Sequence, residues 1–274
     1  MQFDLHTHST ASDGRLAPAE LVARAAQAGV EVLALTDHDG IDGLSEAHQS
    51  AQNAGISFIN GIELSVTWNS RTIHIVGLNF SPDYAPLQSG IQYLRDFRQQ
   101  RAQEIAKKLE LAGISGAYAG AQAFSSGNML GRMHFANFLV SAGHAKNIRS
   151  VFKKFLVSNK PGHVSGAWAS LDDAVAWITG AGGIAVIAHP ARYKLTRTKL
   201  RRLIKDFVAA GGQAIEVLSG RHNINEIKTM ACHANDFDLY ASAGSDFHDP
   251  DFPWIKLGKL AELPASCKPV WDLF

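Results

Sequence analysis

The chain is short of several things, and each shortage excludes something. Of 274 residues only two are cysteine, Cys232 and Cys267. They form no pair at zinc-ligand spacing and no disulfide framework, so both read as plain thiols and a reducing cytoplasm is the expected setting. No apolar run reaches the roughly 18 residues that span a bilayer, so no membrane partner is expected. The start, Met1-Gln2-Phe3-Asp4, lacks the basic and apolar regions of a secretory signal. No Gly-rich dinucleotide loop follows the first strand pattern, and there is no internal repeat. Charged residues are 19% and the net charge is +1, which argues against a nonspecific nucleic-acid coat. Apolar residues are 46%, enough for a real core and too many for a disordered chain. What the chain has in plenty is histidine: twelve, against five Trp and five Tyr. Histidine is the commonest metal ligand, so placement becomes the question.

The near-neutral total hides an asymmetry. From Tyr84 to Lys160 there are eleven basic residues and three acidic ones, a balance of +8, which leaves −7 for the remainder. An acidic body suits cations, and a basic middle suits an anion. Patterning divides the chain at the same places. Residues 3–6, 32–35, 57–59 and 72–76 read as strands, with helices opening at Pro18 and running through Ala47 and Ala51. After Phe80 the rhythm turns helical, over 91–111, 129–140 and 148–156. Alternation resumes with helices over 171–178, 200–210 and 224–234 and strands over 184–188, 213–218 and 239–243. About seven strands with intervening helices predict a β/α barrel over 1–83 and 161–274. A basic helical insert over 84–160 is expected to form part of the substrate site.

The histidines and carboxylates fall at the strand ends. His6 and His8 close strand one, Asp37 and His38 strand two, and Glu63 is placed at the end of strand three. His74 lies in the next strand, His189 ends the strand after the insert, and Asp246 and His248 follow the last one. In β/α barrels such positions converge on one face. Imidazole and carboxylate without thiolate suit zinc, manganese or iron rather than copper or iron–sulfur clusters. Nine groups exceed the needs of one ion, so two or three ions sharing carboxylates are expected. Such clusters polarise phosphoryl oxygens and make hydroxide available near neutral pH.

His6-Thr7-His8, Thr36-Asp37-His38, His189-Pro190 and Asp246-Phe247-His248 resemble the four motifs of the PHP (polymerase and histidinol phosphatase) family, in order and over essentially the whole chain. Gly131-Arg132-Met133-His134-Phe135-Ala136 and His189-Pro190-Ala191-Arg192-Tyr193 resemble the branch of bacterial nucleoside 3′,5′-bisphosphate phosphatases and 5′→3′ exoribonucleases. The resemblance implies a distorted (β/α)7 barrel with a trinuclear site. One ion would take His6, His8, Glu63 and Asp246. A second would take Asp13, His38 and His248, and a third Glu63, His74 and His189. Asp13 stands where other branches carry His, which suits a hard ion such as manganese, with zinc, iron and magnesium as alternatives. A metal-bound hydroxide held by Asp13, Glu63 and Asp246 would be the nucleophile, and Arg132, His134 and Arg192 would bind substrate phosphates. The implied activity removes the 3′-phosphate from nucleoside 3′,5′-bisphosphates, or nucleotides from short 5′-phosphorylated RNA. The alternatives are a histidinol-phosphate phosphatase and a non-catalytic nucleic-acid-binding module. No obligatory protein partner is implied.

His163 departs from the family pattern, which carries Tyr there, and receives no role. Ser219 and His222 are candidates for the pocket border. His48, His144 and His233 read as structural or surface residues, and Arg95, Arg98 and Arg101 as a solvated helix face. Asp39 and Asp42 are expected to cap the helix after strand two.

Overall fold

The computed structural model describes residues 1–125, 129–166, 168–220, 222–252 and 254–274. Residues 126–128 of the expected basic segment lie outside the described residues. The chain divides into two compact units, Met1–Ile91 with Trp168–Phe274, and Gln92–Ala167.

The first unit is a seven-stranded sheet in chain order: β1 (Phe3–Asp4), β2 (Val32–Leu35), β3 (Ser57–Trp68), β4 (Arg71–Leu78), β5 (Ile184–Ile187), β6 (Ala214–Ser219) and β7 (Tyr240–Gly244). All pairings are parallel except those of β4, which runs antiparallel to both β3 and β5. The sheet nearly closes. Leu5 N–H donates to the Ala243 carbonyl (2.9 Å), Asp246 N–H to that of His6 (2.8 Å) and His8 N–H to that of Phe247 (2.9 Å). Helices α1 (Pro18–Gln27) and α2 (Leu44–Ala54) link the first three strands. Pro18 sits at the start of α1, where its missing N–H costs nothing, and Leu21, Val22 and Ala25 form its buried stripe. Gly55 ends α2 in the left-handed conformation. Helix α3 (Ala85–Leu111) leaves this unit. Helices α7 (Leu171–Gly180), α8 (Arg197–Ala209) and α9 (Ile224–Asp236) complete it.

Strand three is four times the expected length. Ile62, Leu64 and Val66 alternate with Glu63, Ser65 and Thr67 along it, the period-two signature of a strand. Asn69 and Ser70, both at positive φ (47° and 59°), then turn the chain tightly into β4. Glu63 therefore lies mid-strand, not at a strand end. The hairpin also accounts for His74. It pairs with Ser65 near the beginning of an antiparallel strand, the same end of the barrel at which the parallel strands finish.

Inward rows explain how the core and the site share one barrel. An apolar cluster takes Leu5, Val32, Ala34, Val76, Leu78, Ile184, Val186, Ala188, Ala214 and Val270, with Ile59 packed against it. Further along, the same rows present polar groups: His74 two residues before Val76, Glu216 two after Ala214, and Glu63 four after Ile59. Trp271 closes the apolar end by stacking on Phe3, with centroids 4.1 Å apart.

The second unit has its own core, built from α3 and from α4 (Ala117–Gln122), α5 (Arg132–Ser141) and α6 (Ile148–Val151). Ile105, Leu109, Phe135, Leu139, Val151 and Leu156 are buried in it. Helix α4 is six residues, Ala-Tyr-Ala-Gly-Ala-Gln, too short for a helical apolar period to show in the sequence.

Barrel closure yields a prediction. A Cβ on Gly244 would stand 2.2 Å from His6 Cβ and 2.8 Å from its backbone nitrogen. Gly244→Ala should cost about 3 kcal/mol, the upper end of overpacking, in urea unfolding of the metal-free protein. An unchanged midpoint would show that β1 and β7 part there freely.

Candidate metal centre

The polar ends of the barrel rows meet on one carboxylate. Glu63 is buried, and its two oxygens divide the surrounding imidazoles. Oε1 lies 2.9 Å from His74 Nδ1 and 2.9 Å from His189 Nε2. Oε2 lies 2.9 Å from His38 Nδ1, 3.3 Å from His8 Nε2 and 3.4 Å from His6 Nε2. Asp246 Oδ1 stands 3.4 Å from His6 Nε2 and 3.3 Å from His8 Nε2, and those two nitrogens are 3.0 Å apart. Asp13 Oδ1 faces His248 Nε2 at 3.3 Å, His38 Nε2 at 3.9 Å and His8 Nδ1 at 4.0 Å.

Four sets of donor atoms are close enough to hold a cation: His8, Asp13, His38 and His248; His6, Glu63 and His189; His6, His8 and Asp246; His38, Glu63 and His74. The donor set fits divalent metal. Bonds of about 2.0–2.2 Å put neighbouring ligand atoms roughly 3.0–3.5 Å apart, close to the 2.9–3.4 Å seen around Glu63 Oε2. Glu63 Oε2 and Asp13 Oδ1 are buried and accept no hydrogen bond. The structure thus brings together His6, His8, Asp13, His38, Glu63, His74, His189, Asp246 and His248.

Local backbone aims these groups. His189 (φ 31°) and Asp246 (φ 55°) adopt the left-handed region, costly for a side chain and commonest at functional sites. Asp37 is not in the cluster. Its Oδ1 accepts from Ser9 N–H (2.8 Å) and Ser12 Oγ (2.5 Å), and its Oδ2 from Ser9 Oγ (2.6 Å). It folds the 9–14 turn that carries Asp13. Asp39 caps no helix either: the residue before α2 is Gly43, and Asp39 accepts from Ser65 N–H (2.6 Å) and Oγ (2.8 Å).

Charge is concentrated here. Burial pushes Asp13 upward, but His248 and His38 hold it well below the usual carboxylate range. Burial likewise opposes ionisation of Glu63, and His74, His38 and His6 override it. Asp246 is held low against burial by Arg192, His248 and His6. Burial works to lower His248, yet Asp13 and Asp246 raise it to about 9. Burial, reinforced by His248, lowers His8 to about 3.

Arg192 contacts Asp246 Oδ2 through Nη1, while its Nε and Nη2 are buried without hydrogen-bond partners. It lies in the short helical turn Pro190–Tyr193 that follows β5. Arg132 and His134 lie in the second unit. Arg132 is the first residue of α5, above the Phe152 ring (5.6 Å), and His134 Nδ1 accepts from Gly131 N–H (2.9 Å). Arg98 is buried, not part of a solvated face, and its charge depresses Arg132 further after burial. Two cations at a helix N-terminus run against the macrodipole, which favours an anion there. Ser219 ends β6 and His222 bonds back to it, N–H to carbonyl at 2.7 Å; neither joins a donor set. His48 and His144 are exposed, and His233 is buried in α9. Glu216, a lone charge inside an otherwise apolar strand, carried no motif, and Tyr193 stood in a motif without a role; its oxygen accepts from His74 N–H (2.8 Å).

Residues 4–160 match the PHP domain. This chain belongs to the PHP domain family. One PHP relative, the 3′,5′-nucleoside bisphosphate phosphatase of Chromobacterium violaceum, is 49% identical over 269 residues, covering 98% of this chain and 94% of its own. The 5′-3′ exoribonuclease of Haemophilus influenzae is 46% identical over 273 residues, covering 100% and 99%. A solved structure from C. violaceum, described as an amidohydrolase with bound sulfate and no metal, superposes with a TM-score of 0.95 at 49% identity, covering 100% and 96%. No helix among the described residues is long and apolar enough to cross a membrane.

The PHP cluster should bind metal in competition with protons. His248, raised to about 9, contributes stability to the metal-free protein that is fully present below pH 6.5 and lost as pH rises through 9. A ligand imidazole must be neutral, so metal affinity should rise about tenfold per pH unit across that window. Titration calorimetry in buffers of different ionisation enthalpy reads the released proton. A flat affinity would remove His248 from the ligand set.

Proposed function

We propose that this protein is a metal-dependent phosphoesterase that removes the 3′-phosphate from nucleoside 3′,5′-bisphosphates and also degrades short 5′-phosphorylated RNA from its 5′ end. The observation that carries the reading is the Glu63-centred cluster with Arg192 at its edge. The names of the two relatives supply the substrate class.

His6, His8, Glu63 and Asp246 would hold one divalent ion; Asp13, His38 and His248 a second; Glu63, His74 and His189 a third. Manganese is the first choice because the second set includes a hard carboxylate. Bound ions of this kind polarise phosphoryl oxygens and lower the pKa of water toward neutrality. Glu63 would contribute charge to two of these positions, since its two oxygens face different imidazoles. Arg192 offers its two unpaired N–H groups to an equatorial phosphoryl oxygen and offsets charge as it develops. Arg132 and His134 hold the second, non-reacting phosphate at the α5 N-terminus. Binding energy from a phosphate that does not react can be used for orientation. A 5′-phosphorylated RNA end presents the same pair of groups, a terminal phosphate and a neighbouring phosphoester. The protein is read as working in the cytoplasm, without an obligatory partner.

The test is phosphate release with Mn2+ from 3′,5′-adenosine bisphosphate beside 3′-AMP, 5′-AMP and histidinol phosphate. The bisphosphate should dominate. Arg132→Ala should lower kcat/KM for it by about 10- to 100-fold, the worth of a charged hydrogen bond, while monophosphate turnover changes little. Equal turnover of all four compounds would sink the two-phosphate anchor.

A further inference from the structure

We propose that Glu216 is a positioning residue that sets His6 and His189 for metal, using both oxygens of one carboxylate. The proposal rests on the reading that the cluster holds divalent ions.

Glu216 lies on β6, fully inside the barrel, flanked by the apolar Ala214, Ile215, Val217 and Leu218. Its Oε1 is 2.5 Å from His6 Nδ1, and its Oε2 accepts the His189 backbone N–H at 2.5 Å. Both hydrogen bonds come from residues of the cluster. A buried carboxylate is expensive, and an apolar side chain would serve β6 better if packing were its only task.

The donor accounting assigns the role. An ionised carboxylate only accepts, so His6 Nδ1 carries a proton. The neutral ring that metal requires then has its lone pair on Nε2. That nitrogen faces His8 Nε2 at 3.0 Å, with Glu63 Oε2 and Asp246 Oδ1 each at 3.4 Å. Carboxylate-backed imidazoles orient metal ligands in this way. The second oxygen acts on backbone. His189 sits at φ 31° and ψ 54°, and its N–H bond to Glu216 holds it there. That conformation brings His189 Nε2 to 2.9 Å from Glu63 Oε1. One side chain thereby sets groups for two of the proposed ion positions.

Glutamine cannot replace it. An amide has one acceptor group and one donor group. If its oxygen takes His189 N–H, its NH2 faces His6 Nδ1 and drives the ring proton to Nε2. If its oxygen takes His6, its NH2 meets the His189 N–H. Glu216→Gln is otherwise isosteric, so it separates positioning from packing.

Full-length wild type and Glu216→Gln are stripped with chelator and titrated with Mn2+, with bound metal counted per chain. The variant should bind Mn2+ about 10- to 100-fold more weakly or hold one equivalent fewer. Excess Mn2+ should restore kcat while KM for the phosphoester stays unchanged. A folded variant with wild-type affinity and stoichiometry overturns the role of Glu216 alone. Wild type that takes up no Mn2+, Zn2+ or Fe2+ overturns the metal reading and this proposal with it. Should the variant fail to fold, 15N spectra of Zn2+-loaded wild type decide: a proton on His6 Nδ1 supports the proposal, and one on Nε2 refutes it.

Discussion

Everything at the mouth of the barrel depends on a buried negative charge that the protein alone does not neutralise. Glu63 is surrounded by His6, His8, His38, His74 and His189, and Asp246, Asp13 and Glu216 stand close by. Arg192 is the permanent cation hydrogen-bonded to this group. Burying several carboxylates is costly unless cations accompany them. Imidazoles can take up protons, but three imidazole nitrogens packed 2.9–3.4 Å from one carboxylate oxygen suit a small divalent ion better than a set of competing imidazolium rings.

The fold makes room for that charge by splitting each inward row of the barrel. Val76, Leu78, Ala214 and Ile59 fill the lower part, and His74, Glu216 and Glu63 continue the same rows above. The apolar layers pack the unit and keep the polar layer fixed from below. The left-handed turns at His189 and Asp246 then bend two ligand-type side chains inward where the strands end. Their cost is offset by backbone bonds, His189 N–H to Glu216 and Asp246 N–H to the His6 carbonyl. The second of these bonds also helps close β1 against β7, so barrel closure and site geometry are one arrangement there.

Much of this was legible in the linear sequence, and the misreadings share a cause. His-x-His, Asp-His and Asp-Phe-His place donors two residues apart or at strand ends, a pattern visible without coordinates. The apolar start of strand three, Phe58-Ile59, stops at Asn60-Gly61 in the sequence, while apolar and polar residues alternate from Ile62 to Thr67 and carry the strand on. Asp37 sits beside His38 and looks equivalent to it, but adjacent residues near a strand end point in opposite directions. Asp37 turns to Ser9 and Ser12 while His38 turns to Glu63. Arg98 shows the converse. Helical spacing put it on a polar face, and the approach of α5 buried it.

The sequence by itself determined the order of the strands, the family and the identity of the groups able to meet metal, because those follow from local periodicity and from residue chemistry. Tertiary structure alone decided how Glu63 divides its oxygens, which carboxylates accept from backbone and which face the cluster, and that Glu216 spans His6 and His189. Those outcomes depend on distances of about 3 Å between residues far apart in the chain, 210 positions for His6 and Glu216. Only closure of the barrel brings such residues together, since hydrogen bonds and ligand contacts are short-ranged and directional while the sequence records only order.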